Sequence, residues 1–467
     1  MNRLDSFDSF GFSAEFSKAI QGMGIKIPTD VQSKSIPLVM DGKDVMAESA
    51  TGSGKTLAFG CKIVESVRPG KGIQALVLAP TRELAEQVRK SINDMSRGKK
   101  LSVISVYGGV SIERQMDELR RADVVVATPG RLLDHFNRRT IDVSRVNIVV
   151  LDEADSMLDM GFIDDVEEII RKCPKQRQMM FFSATMPPSI LHLARKHMNN
   201  YTEVRTESQV DPSKLKQIYF DIPRNRKIAL LVKMIQDEDT NLVMVFCNTR
   251  KSTDYVVANL KANKINAIAI HGGLTQNKRT NTLKNFNDAK VEVLVCTDVA
   301  ARGLHINNVS HVYNYDIPND PRDYVHRIGR TARAGESGKV INLLSDMDHE
   351  NFSRIMREYR ELNIDHIQTP FLDKIKTVGM PSRDNEFGGR RPGPRGNFGP
   401  RRGGPRSNGP RNDSQGSRFG NSPRSGPRND GFRSEGNRFG GNKGNFSRGN
   451  GDRSRSRDGP RERFQRR

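Results

Sequence analysis

Short apolar runs rich in β-branched residues recur along the chain and alternate with amphipathic stretches. Each run is continuous rather than alternating, which is typical of strands buried on both faces of a parallel sheet. The stretch at 83–95 has the spacing expected of a crossover helix. The pattern predicts an α/β fold whose strands include ALVLAP (75–80), DVVVATP (123–129), NIVVLDEAD (147–155), MMFFSAT (179–185), NLVMVFC (241–247), NAIAIHGG (266–273), VEVLVCT (291–297) and HVYNYDIP (311–318).

Polar sequence around residues 199–214 divides these runs into two sets. Because about 160–200 residues already complete a domain, two domains are favoured over one large sheet. We predict domains at 1–208 and 215–375, joined by a linker at 209–214. In open α/β sheets ligands bind at the carboxyl ends of strands, and small polar residues end each run here. A functional site is therefore expected at these ends.

The composition changes after residue 380. Residues 381–467 hold 22 Arg and Lys against 8 Asp and Glu, so they contribute +14 of the formal net charge of +21. They contain 19 Gly and seven Phe but no Ala, Val, Ile, Leu, Met, Tyr or Trp, and all but one of the basic residues are Arg. Such a segment buries too little apolar surface to offset the entropy of ordering it. We predict a disordered basic tail.

Cysteine spacing and the N-terminal sequence exclude several classes of protein. The four cysteines, Cys61, Cys173, Cys247 and Cys296, lie far apart, which argues against a zinc site or a disulfide framework and fits a reducing compartment. The first ten residues lack the apolar core of a secretory signal. No apolar run approaches the roughly 18 residues that span a bilayer. We expect a soluble intracellular protein, cytoplasmic with a nuclear location left open.

The segment ESATGSGKT at 48–56 nearly matches the phosphate-binding loop G-x-x-x-x-G-K-[ST], with Ser49 in place of the first Gly. Its glycines allow backbone N–H groups to turn toward phosphate, and the following helix adds the positive end of its dipole. In such a loop Lys55 reaches the β- and γ-phosphates and Thr56 binds Mg²⁺. The same letters also fit an ordinary Gly-rich turn, so the assignment needs a carboxylate partner.

That partner is offered by VVLDEAD, an apolar run that ends in Asp152 and Glu153. Asp152 can hold Mg²⁺, and Glu153 can orient or deprotonate an attacking water. The alternative is that Asp152 only caps a helix.

The chain closely resembles the DEAD-box family of ATP-dependent RNA helicases. The sequence Asp-Glu-Ala-Asp, from which the family takes its name, stands here at 152–155. The resemblance covers about residues 7–370 and implies two tandem RecA-like parallel-sheet domains. The motifs appear in the family's order: IKIPTDVQ (25–32), the loop at 48–56, PTREL (80–84), GG (108–109), TPGR (128–131), DEAD (152–155), SAT (183–185), VFCNTR (245–250), QNKR (276–279), CTDVAARG (296–303) and HRIGRTARAG (326–335).

The resemblance implies ATP and Mg²⁺ as cofactors and assigns residues to each step. Catalysis falls to Lys55, Asp152, Glu153 and two arginine fingers, Arg330 and Arg333. Thr56 and Asp152 would hold the metal. Gln32 would read the adenine edge. The implied ATP-binding set is Phe7, Ile25, Gln32, Ser49, Ala50, Thr51, Gly52, Ser53, Gly54, Lys55, Thr56, Gly303 and His305.

The resemblance also assigns coupling and RNA contacts. Hydrolysis would be coupled to strand separation by Asp155, Ser183, Ala184 and Thr185. The implied RNA-binding residues are Pro80, Thr81, Arg82, Gly109, Thr128, Pro129, Gly130, Arg131, Arg250, Gly273, Arg279, Thr297 and Asp298.

The two candidate fingers lie some 275 residues after Lys55. If they complete the same site, that site forms only when the two domains close, and RNA becomes an activator of hydrolysis. Taken alone, Arg330 and Arg333 could equally belong to a solvated basic helix face.

Four positions depart from the family's usual residues, of which Ala332, in place of a common Gly in the last motif, is a mild change. Ser49 replaces Ala or Gly and is still small. Ile25 stands where an aromatic is common, which exchanges stacking on adenine for aliphatic packing. His305 stands where the family has an Asp implicated in holding the ATP ribose, so we predict weaker ATP binding with catalysis spared.

The tail offers Arg for phosphate contacts and planar groups that stack on bases. We predict salt-sensitive RNA binding with little sequence preference. A purely solubilising tail is the alternative, and its near-total preference for Arg over Lys argues against it. The Phe and Arg content also permits phase separation with RNA.

The leading hypothesis is a monomeric ATP-dependent RNA helicase, an RNA-dependent ATPase that locally unwinds short RNA duplexes or remodels RNA–protein complexes such as ribosomal precursors or decay machinery. The alternative is an ATP-gated RNA clamp or chaperone that does not unwind. A DNA helicase is disfavoured by the resemblance.

Overall fold

A computed structural model describes residues 6–50, 52–206, 215–304, 306, 309–332 and 337–379. Two seven-stranded sheets follow one another along the chain. Every strand pair in both sheets is parallel. The chain therefore forms two tandem RecA-like α/β domains, as the resemblance implies.

The first sheet has the strand order β3-β4-β2-β5-β6-β1-β7. Its strands are β1 (Val45–Glu48), β2 (Ala75–Leu78), β3 (Val103–Val106), β4 (Val124–Ala127), β5 (Ile148–Asp152), β6 (Gln178–Ser183) and β7 (Thr202–Arg205). The helices of this domain are α1 (Ala14–Gly22), α2 (Asp30–Met40), α3 (Lys55–Ser66), α4 (Arg82–Met95), α5 (Ile112–Leu119), α6 (Pro129–Asn137), α7 (Ala154–Asp159), α8 (Ile163–Lys172) and α9 (Pro188–His197).

The second sheet has the order β10-β11-β9-β12-β13-β8-β14. Its strands are β8 (Leu215–Asp221), β9 (Leu242–Phe246), β10 (Ala267–Ile270), β11 (Val293–Cys296), β12 (Val309–Asn314), β13 (Gly338–Leu344) and β14 (Asp365–His366). Its helices are α10 (Lys227–Asp237), α11 (Arg250–Ala262), α12 (Gln276–Asn287), α13 (Asp298–Ala301), α14 (Pro321–Ile328) and α15 (His349–Glu358).

All eight runs predicted as strands are strands, and the predicted crossover helix at 83–95 is α4. Seven of these strands are buried throughout, except at Ser310 of β12, because helices cover both faces of each sheet, and the edge strand β10 is half-buried at Ile268 and Ala269. The sequence pattern missed the strands β1, β3, β7, β8, β13 and β14. The edge strand β7, with the sequence TEVR, buries only Val204, so it reads as polar connection.

The strand ends and helix starts create the framework for a site. The helices α3, α4, α6, α11 and α13 each begin at most seven residues after a strand ends. Their N-termini therefore gather at the carboxyl edges of the two sheets, where ligands bind in such folds. In the part of the chain described here, no helix is long and apolar enough to cross a membrane. The predicted linker at 209–214 and the tail at 381–467 lie outside the described residues.

Candidate functional site

The loop between β1 and α3 is held by its own polar groups. Lys55, the first residue of α3, is 6% exposed. Its Nζ donates to the carbonyl oxygens of Ser49 at 2.7 Å and Ala50 at 3.2 Å. The Ser49 hydroxyl donates to the Ser53 hydroxyl at 2.7 Å. The residue that departs from the loop pattern thus fastens one side of the loop to the other.

The segment before α2 braces the same loop. The Thr29 hydroxyl donates to the carbonyl oxygen of Ser53 at 2.7 Å, and Nε2 of Gln32 donates to that of Gly54 at 3.0 Å. Oε1 of Gln32 accepts from the backbone N–H of Thr29 at 2.9 Å. A Cβ at Gly54, where φ is +91°, would lie 2.3 Å from Gln32 Nε2, so this position requires glycine. Gln32, predicted to read adenine, here contacts the loop.

The remaining predicted ATP residues of the first domain differ in exposure. Phe7 is 8% exposed and packs in the core of the first domain, and Ile25 packs against the same cluster. Gly52 is exposed and Thr56 is half-buried at the start of α3. Thr51 lies outside the described residues.

The strand β5 delivers two acids to the edge of the sheet. Asp152, its last residue, is 3% exposed. Burial, together with the charge of Glu153, raises the pKa of Asp152 to about 7, against the lowering effect of the Lys55 charge. Glu153 adopts φ +51°, a left-handed conformation that is costly for a residue other than glycine. An acid without a compensating cation at this depth suits a hard cation such as Mg²⁺.

The next acid of the motif joins the predicted coupling residues. The backbone N–H of Asp155 donates to the Ser183 hydroxyl at 3.0 Å. Oδ2 of Asp155 accepts from the backbone N–H of Thr185 at 2.9 Å and from its hydroxyl at 3.0 Å. The structure thus brings Asp155, Ser183 and Thr185 together, with Ala184 between the last two. Nε2 of His326, from the second domain, lies 3.8 Å from Asp155 Oδ2.

Burial would raise the pKa of Asp155, but His326 and Ser183 more than compensate and hold that pKa well below its usual range. The carboxylate therefore stays charged at neutral pH, which strengthens the hydrogen bonds that it accepts from Thr185.

A cluster of ion pairs lies beside this contact. Nη2 of Arg302 lies 3.1 Å from Oδ2 of Asp159 in the first domain and 2.6 Å from Oδ1 of Asp323 in the second. Arg322 contributes a second guanidinium, 3.2 Å from Asp159. Both acids are thus occupied by guanidinium groups. The cluster links α7 to the second domain.

The second-domain residues predicted for the ATP site are described only in part. Arg330 is 4% exposed, and its guanidinium donates to the carbonyl oxygens of Leu304 at 2.7 Å and His326 at 3.3 Å. Burial lowers the pKa of Arg330, while the charge of Glu153 in the first domain acts to raise it. Arg333 and His305 lie outside the described residues.

Gly303, predicted to bind ATP, approaches the first domain at another place. With φ at +69°, a Cβ there would lie 2.4 Å from the Thr81 hydroxyl and 2.8 Å from Leu84 Cβ. The close contact between domains explains the glycine.

The predicted RNA-contacting motifs of the first domain stand at helix N-termini. Thr81 caps α4 by accepting from the Leu84 N–H at 3.2 Å, and Thr128 precedes α6, which begins with Pro129. Helix N-termini present N–H groups and a positive dipole end to phosphate. The other predicted residues here differ in exposure, with Gly109 and Gly130 exposed, Arg82 and Arg131 half-buried, and Pro80 buried.

Arg82 lies across the Gly-Gly motif. A Cβ at Gly109, where φ is +86°, would fall 2.1 Å from Nη1 of Arg82. Arg131 donates to Gln115 Oε1 at 3.0 Å and to the Val110 carbonyl at 3.2 Å. Both arginines are thus held in place beside exposed glycine backbone.

The second domain repeats this arrangement. Thr249 caps α11 by accepting from the Ser252 N–H at 3.0 Å, and the first residue of α11 is the exposed Arg250. Its guanidinium lies beside Gly272 and Gly273, since a Cβ at Gly272 would be 3.1 Å from Nη2.

Thr297 precedes α13, whose first residue Asp298 binds a buried arginine. All five N–H donors of Arg327 are engaged. They reach both carboxylate oxygens of Asp298 at 2.5 and 2.7 Å, and the side-chain oxygens of Asn314 and Asn248 at 3.0 and 2.9 Å. The fifth donates to the Asp316 carbonyl at 2.6 Å. Asp298, predicted to touch RNA, is here positioned by Arg327.

Arg279, another predicted RNA contact, crosses to the first domain. Its Nε lies 2.8 Å from Oε1 of Glu83, and Gln276 Nε2 donates to the same oxygen at 3.1 Å. The side chains of Arg279 and Glu83 are 12% and 6% exposed, so this is a largely buried ion pair. The two domains are therefore in contact through residues of their own motifs.

Five residues that make these contacts were not predicted as functional from the sequence: Glu83, Asp159, Arg302, Arg322 and Arg327. Glu83, Arg302 and Arg327 lie inside quoted motifs, which was a usable signal. Their partners lie 11 to 196 residues away, and a one-dimensional pattern does not pair them.

Family models and relatives both identify helicase sequences along the two domains of this chain. Residues 29–193 match the DEAD/DEAH box helicase family model, and residues 226–335 match the helicase conserved C-terminal domain. The DEAD-box ATP-dependent RNA helicase CshA of Bacillus subtilis is 41% identical over 372 residues, covering 79% of this chain and 75% of the relative. CshA of Geobacillus kaustophilus is also 41% identical, over 79% of this chain and 80% of its own length.

Among solved structures, S. cerevisiae Dbp5 bound to RNA and ADP BeF3 matches with a TM-score of 0.73 and 30% identity. The match covers 78% of this chain and 96% of that one.

Proposed function

Because this chain belongs to the DEAD-box ATP-dependent RNA helicases, we propose that it separates short RNA duplexes, or strips proteins from RNA, by closing its two domains around ATP and RNA. It acts as a monomer in the cytoplasm. RNA helicase and ATPase activity follow from the family. The mode of unwinding and the closure step are the proposal.

The observation that carries the proposal is the set of contacts between the domains. Asp155 meets His326, Asp159 meets Arg302, and Glu83 meets Arg279. These residues flank the predicted ATP site and the predicted RNA motifs. A contact set shared between two ligand sites is the physical means by which binding at one favours binding at the other.

In the first domain, Lys55 binds the β- and γ-phosphates. To do so it exchanges the carbonyl oxygens of Ser49 and Ala50 for phosphate oxygens, a gain because the new acceptors are charged. Gln32, Ser53 and their neighbours keep the loop in shape. Thr56 and Asp152 hold Mg²⁺, which offsets phosphate charge when bound.

Glu153 orients the attacking water and accepts its proton. Its left-handed backbone places it at the start of α7, on the side of the sheet edge that faces Arg330. Arg330 and Arg333 donate to the transferring phosphoryl group, and such donors contribute about 10³–10⁵ in rate. Arg330 must release the Leu304 carbonyl to do so, and this exchange makes catalysis depend on the second domain.

RNA is held through its backbone by the N-termini of α4, α6 and α11 and by Arg82, Arg131 and Arg250. Contacts of this kind carry no sequence information, so the core accepts many RNAs. Arg279 and Asp298 shape this surface through Glu83 and Arg327. The Arg-rich tail tethers RNA to the core through phosphate contacts and stacking.

The test compares hydrolysis and strand separation on RNA and DNA duplexes for the wild type and Glu153→Gln. We expect RNA-stimulated ATPase and RNA unwinding in the wild type, and loss of both in the variant. ATP-dependent RNA binding without strand separation would favour a clamp, and equal action on DNA would refute RNA selectivity.

Closure is tested separately with Asp159→Asn, which weakens the link to Arg302 and Arg322 without touching the phosphate loop. We expect the half-saturating concentrations of ATP and of RNA to rise together, since both ligands favour the closed state. The matched control is Asp164→Asn, an exposed acid at the start of α8. A rise for one ligand alone would contradict shared closure.

A further inference from the structure

A strap of residues 365–379 follows α15 and crosses the outside of the second domain. It begins as β14, whose two residues pair with β8. The backbone N–H of Ile367 then donates to the Tyr219 carbonyl at 2.9 Å, and the Thr369 hydroxyl donates to that of Asp221 at 3.1 Å. The strap is thus bonded to the edge of the sheet where it starts.

Its middle is held by apolar packing. Leu372 is 7% exposed and joins the core cluster that includes Leu231 of α10 and Leu260 of α11, and Ile375 packs against the same cluster. Phe371, one residue before Leu372, is 84% exposed. The strap therefore buries selected side chains while remaining on the surface.

Two asparagines, one helical turn apart, bind the end of the strap. Asn259 lies on α11, and Asn263 directly follows its last residue. Nδ2 of Asn259 donates to the Val378 carbonyl at 3.0 Å, and Oδ1 accepts from the Val378 N–H at 2.8 Å. Asn263 repeats this with Lys376, donating to its carbonyl at 2.8 Å and accepting from its N–H at 3.1 Å. Each side-chain amide thus pairs with one residue's backbone as a neighbouring strand would.

The order of these contacts gives the strap a direction. Lys376 lies at Asn263 and Val378 at Asn259, so the chain runs antiparallel to α11, toward the N-terminus of that helix. Arg250, a proposed RNA contact, is the first residue of α11. Nine residues of helix separate Arg250 from Asn259, about 14 Å, a distance that about four extended residues span.

We propose that Asn259 and Asn263 are positioning residues that hold the strap so that the Arg-rich tail leaves the core beside the RNA-binding face. This inference rests on the proposed tethering role of the tail. A tether raises the effective concentration of its ligand most when its anchor lies near the second site. If the strap is freed, the unattached chain begins near residue 366 instead. About a dozen more residues then separate the core from the Arg-rich tail.

The experiment is a cycle of four proteins: the full chain and a chain ending at Met380, each with and without Asn259→Ala/Asn263→Ala. The described residues 6–379 contain both sheets and their cores, so the shorter chain retains the fold. The quantity measured is the RNA concentration that half-maximally stimulates ATP hydrolysis. The matched control is Asn266→Ala, which removes a bond to the Lys290 carbonyl away from the strap.

In the full chain we expect the double substitution to raise that concentration about threefold or more, with maximal hydrolysis unchanged. In the shortened chain the double substitution should change the half-maximal RNA concentration by less than about 1.5-fold. An equal rise in both chains would show a general effect on the core and overturn the proposal, as would no rise in the full chain.

If removing the tail changes nothing, the tether itself fails, which separates failure of the proposed function from failure of this inference. A second readout is trypsin cleavage of the full chain after Lys374 and Lys376. We expect faster cleavage in the double variant than in Asn266→Ala. Equal rates would contradict the proposal that Asn259 and Asn263 hold the strap.

Discussion

The two sheets of this protein have the same strand order, yet they carry different chemistry at corresponding places. In the first, β1 leads through a Gly-rich loop to Lys55 at the start of α3; in the second, β8 leads through the turn at Arg224–Arg226 to Lys227 at the start of α10. Both lysines are buried, 6% and 2% exposed. The fold alone therefore does not make a nucleotide site.

The partners of the two lysines explain the difference. Lys55 contacts only neutral carbonyl oxygens, so its charge is available to phosphate. Lys227 lies 2.6 Å from the Asp348 carboxylate and 2.8 Å from the Tyr315 carbonyl, so its charge is already neutralised. We therefore propose that Lys55 serves a ligand, whereas Lys227 stabilises its domain.

The strand ends differ in the same way. The last residue of β5 is Asp152, a carboxylate whose pKa burial raises to about 7. The last residue of β12 is Asn314, which donates to Asn342 at 2.7 Å and accepts from Arg327 at 3.0 Å. The first sheet leaves a costly group for a ligand to satisfy, whereas the second satisfies its own polar groups.

The largest effect expected from this comparison is that of Lys55→Ala. Loss of the cation that binds phosphate should lower the rate of ATP hydrolysis about 1,000-fold, or roughly 4 kcal/mol, with little change in folding. The measurement is RNA-stimulated ATPase with the melting temperature as control. Hydrolysis within tenfold of wild type would refute the assignment of Lys55.

The counterpart, Lys227→Ala, should affect stability instead. It leaves the Asp348 carboxylate buried without its partner, which costs about 3 kcal/mol of unfolding free energy. Hydrolysis per folded molecule should stay within about twofold of wild type. Denaturant unfolding checks the first expectation, and adding Asp348→Asn should recover part of the loss.

A smaller effect is expected for Asp152→Asn in the free protein. Because folding raises the pKa of Asp152 from 3.8 to about 7, the folded wild type loses stability relative to the unfolded chain as pH rises from about 4 to 7. The variant lacks this loss. It should be more stable by roughly 1–2 kcal/mol at pH 8 and no more stable at pH 4, while losing hydrolysis.

Unfolding curves at both pH values, without nucleotide or Mg²⁺, test this expectation. An equal gain in stability at pH 4 and pH 8 would show that ionisation of Asp152 is not the cause.

The smallest effect is expected for His305→Asp, at a residue of the second domain that the family resemblance assigns to ATP binding. Restoring the carboxylate usual in the family should lower the half-saturating ATP concentration a few-fold, about 1 kcal/mol, with maximal hydrolysis unchanged. An unaltered dependence of hydrolysis on ATP concentration would contradict the prediction that His305 weakens ATP binding.

Much of the fold could be predicted from the sequence. The segments IVVL (148–151) and LVMVFC (242–247) are apolar throughout because both faces of their strands are covered. The strand β1 was not predicted because its sequence, VMAE, contains a single β-branched residue, and the edge strand β7 was not predicted because it is mostly polar. The loop at 48–56 and the acids at 152–155 could be predicted as a site because their proposed chemistry depends on neighbours in sequence.

The sequence by itself determined the two α/β domains, the phosphate loop with Lys55, the acids Asp152 and Glu153, and the basic tail. Only the tertiary structure decided that Ser49 fastens the loop, that Arg327 holds Asp298, and that Asn259 and Asn263 grip the strap. Local motifs are set by backbone geometry over a few residues. Hydrogen bonds between distant side chains exist only once packing has brought the partners within about 3 Å of each other.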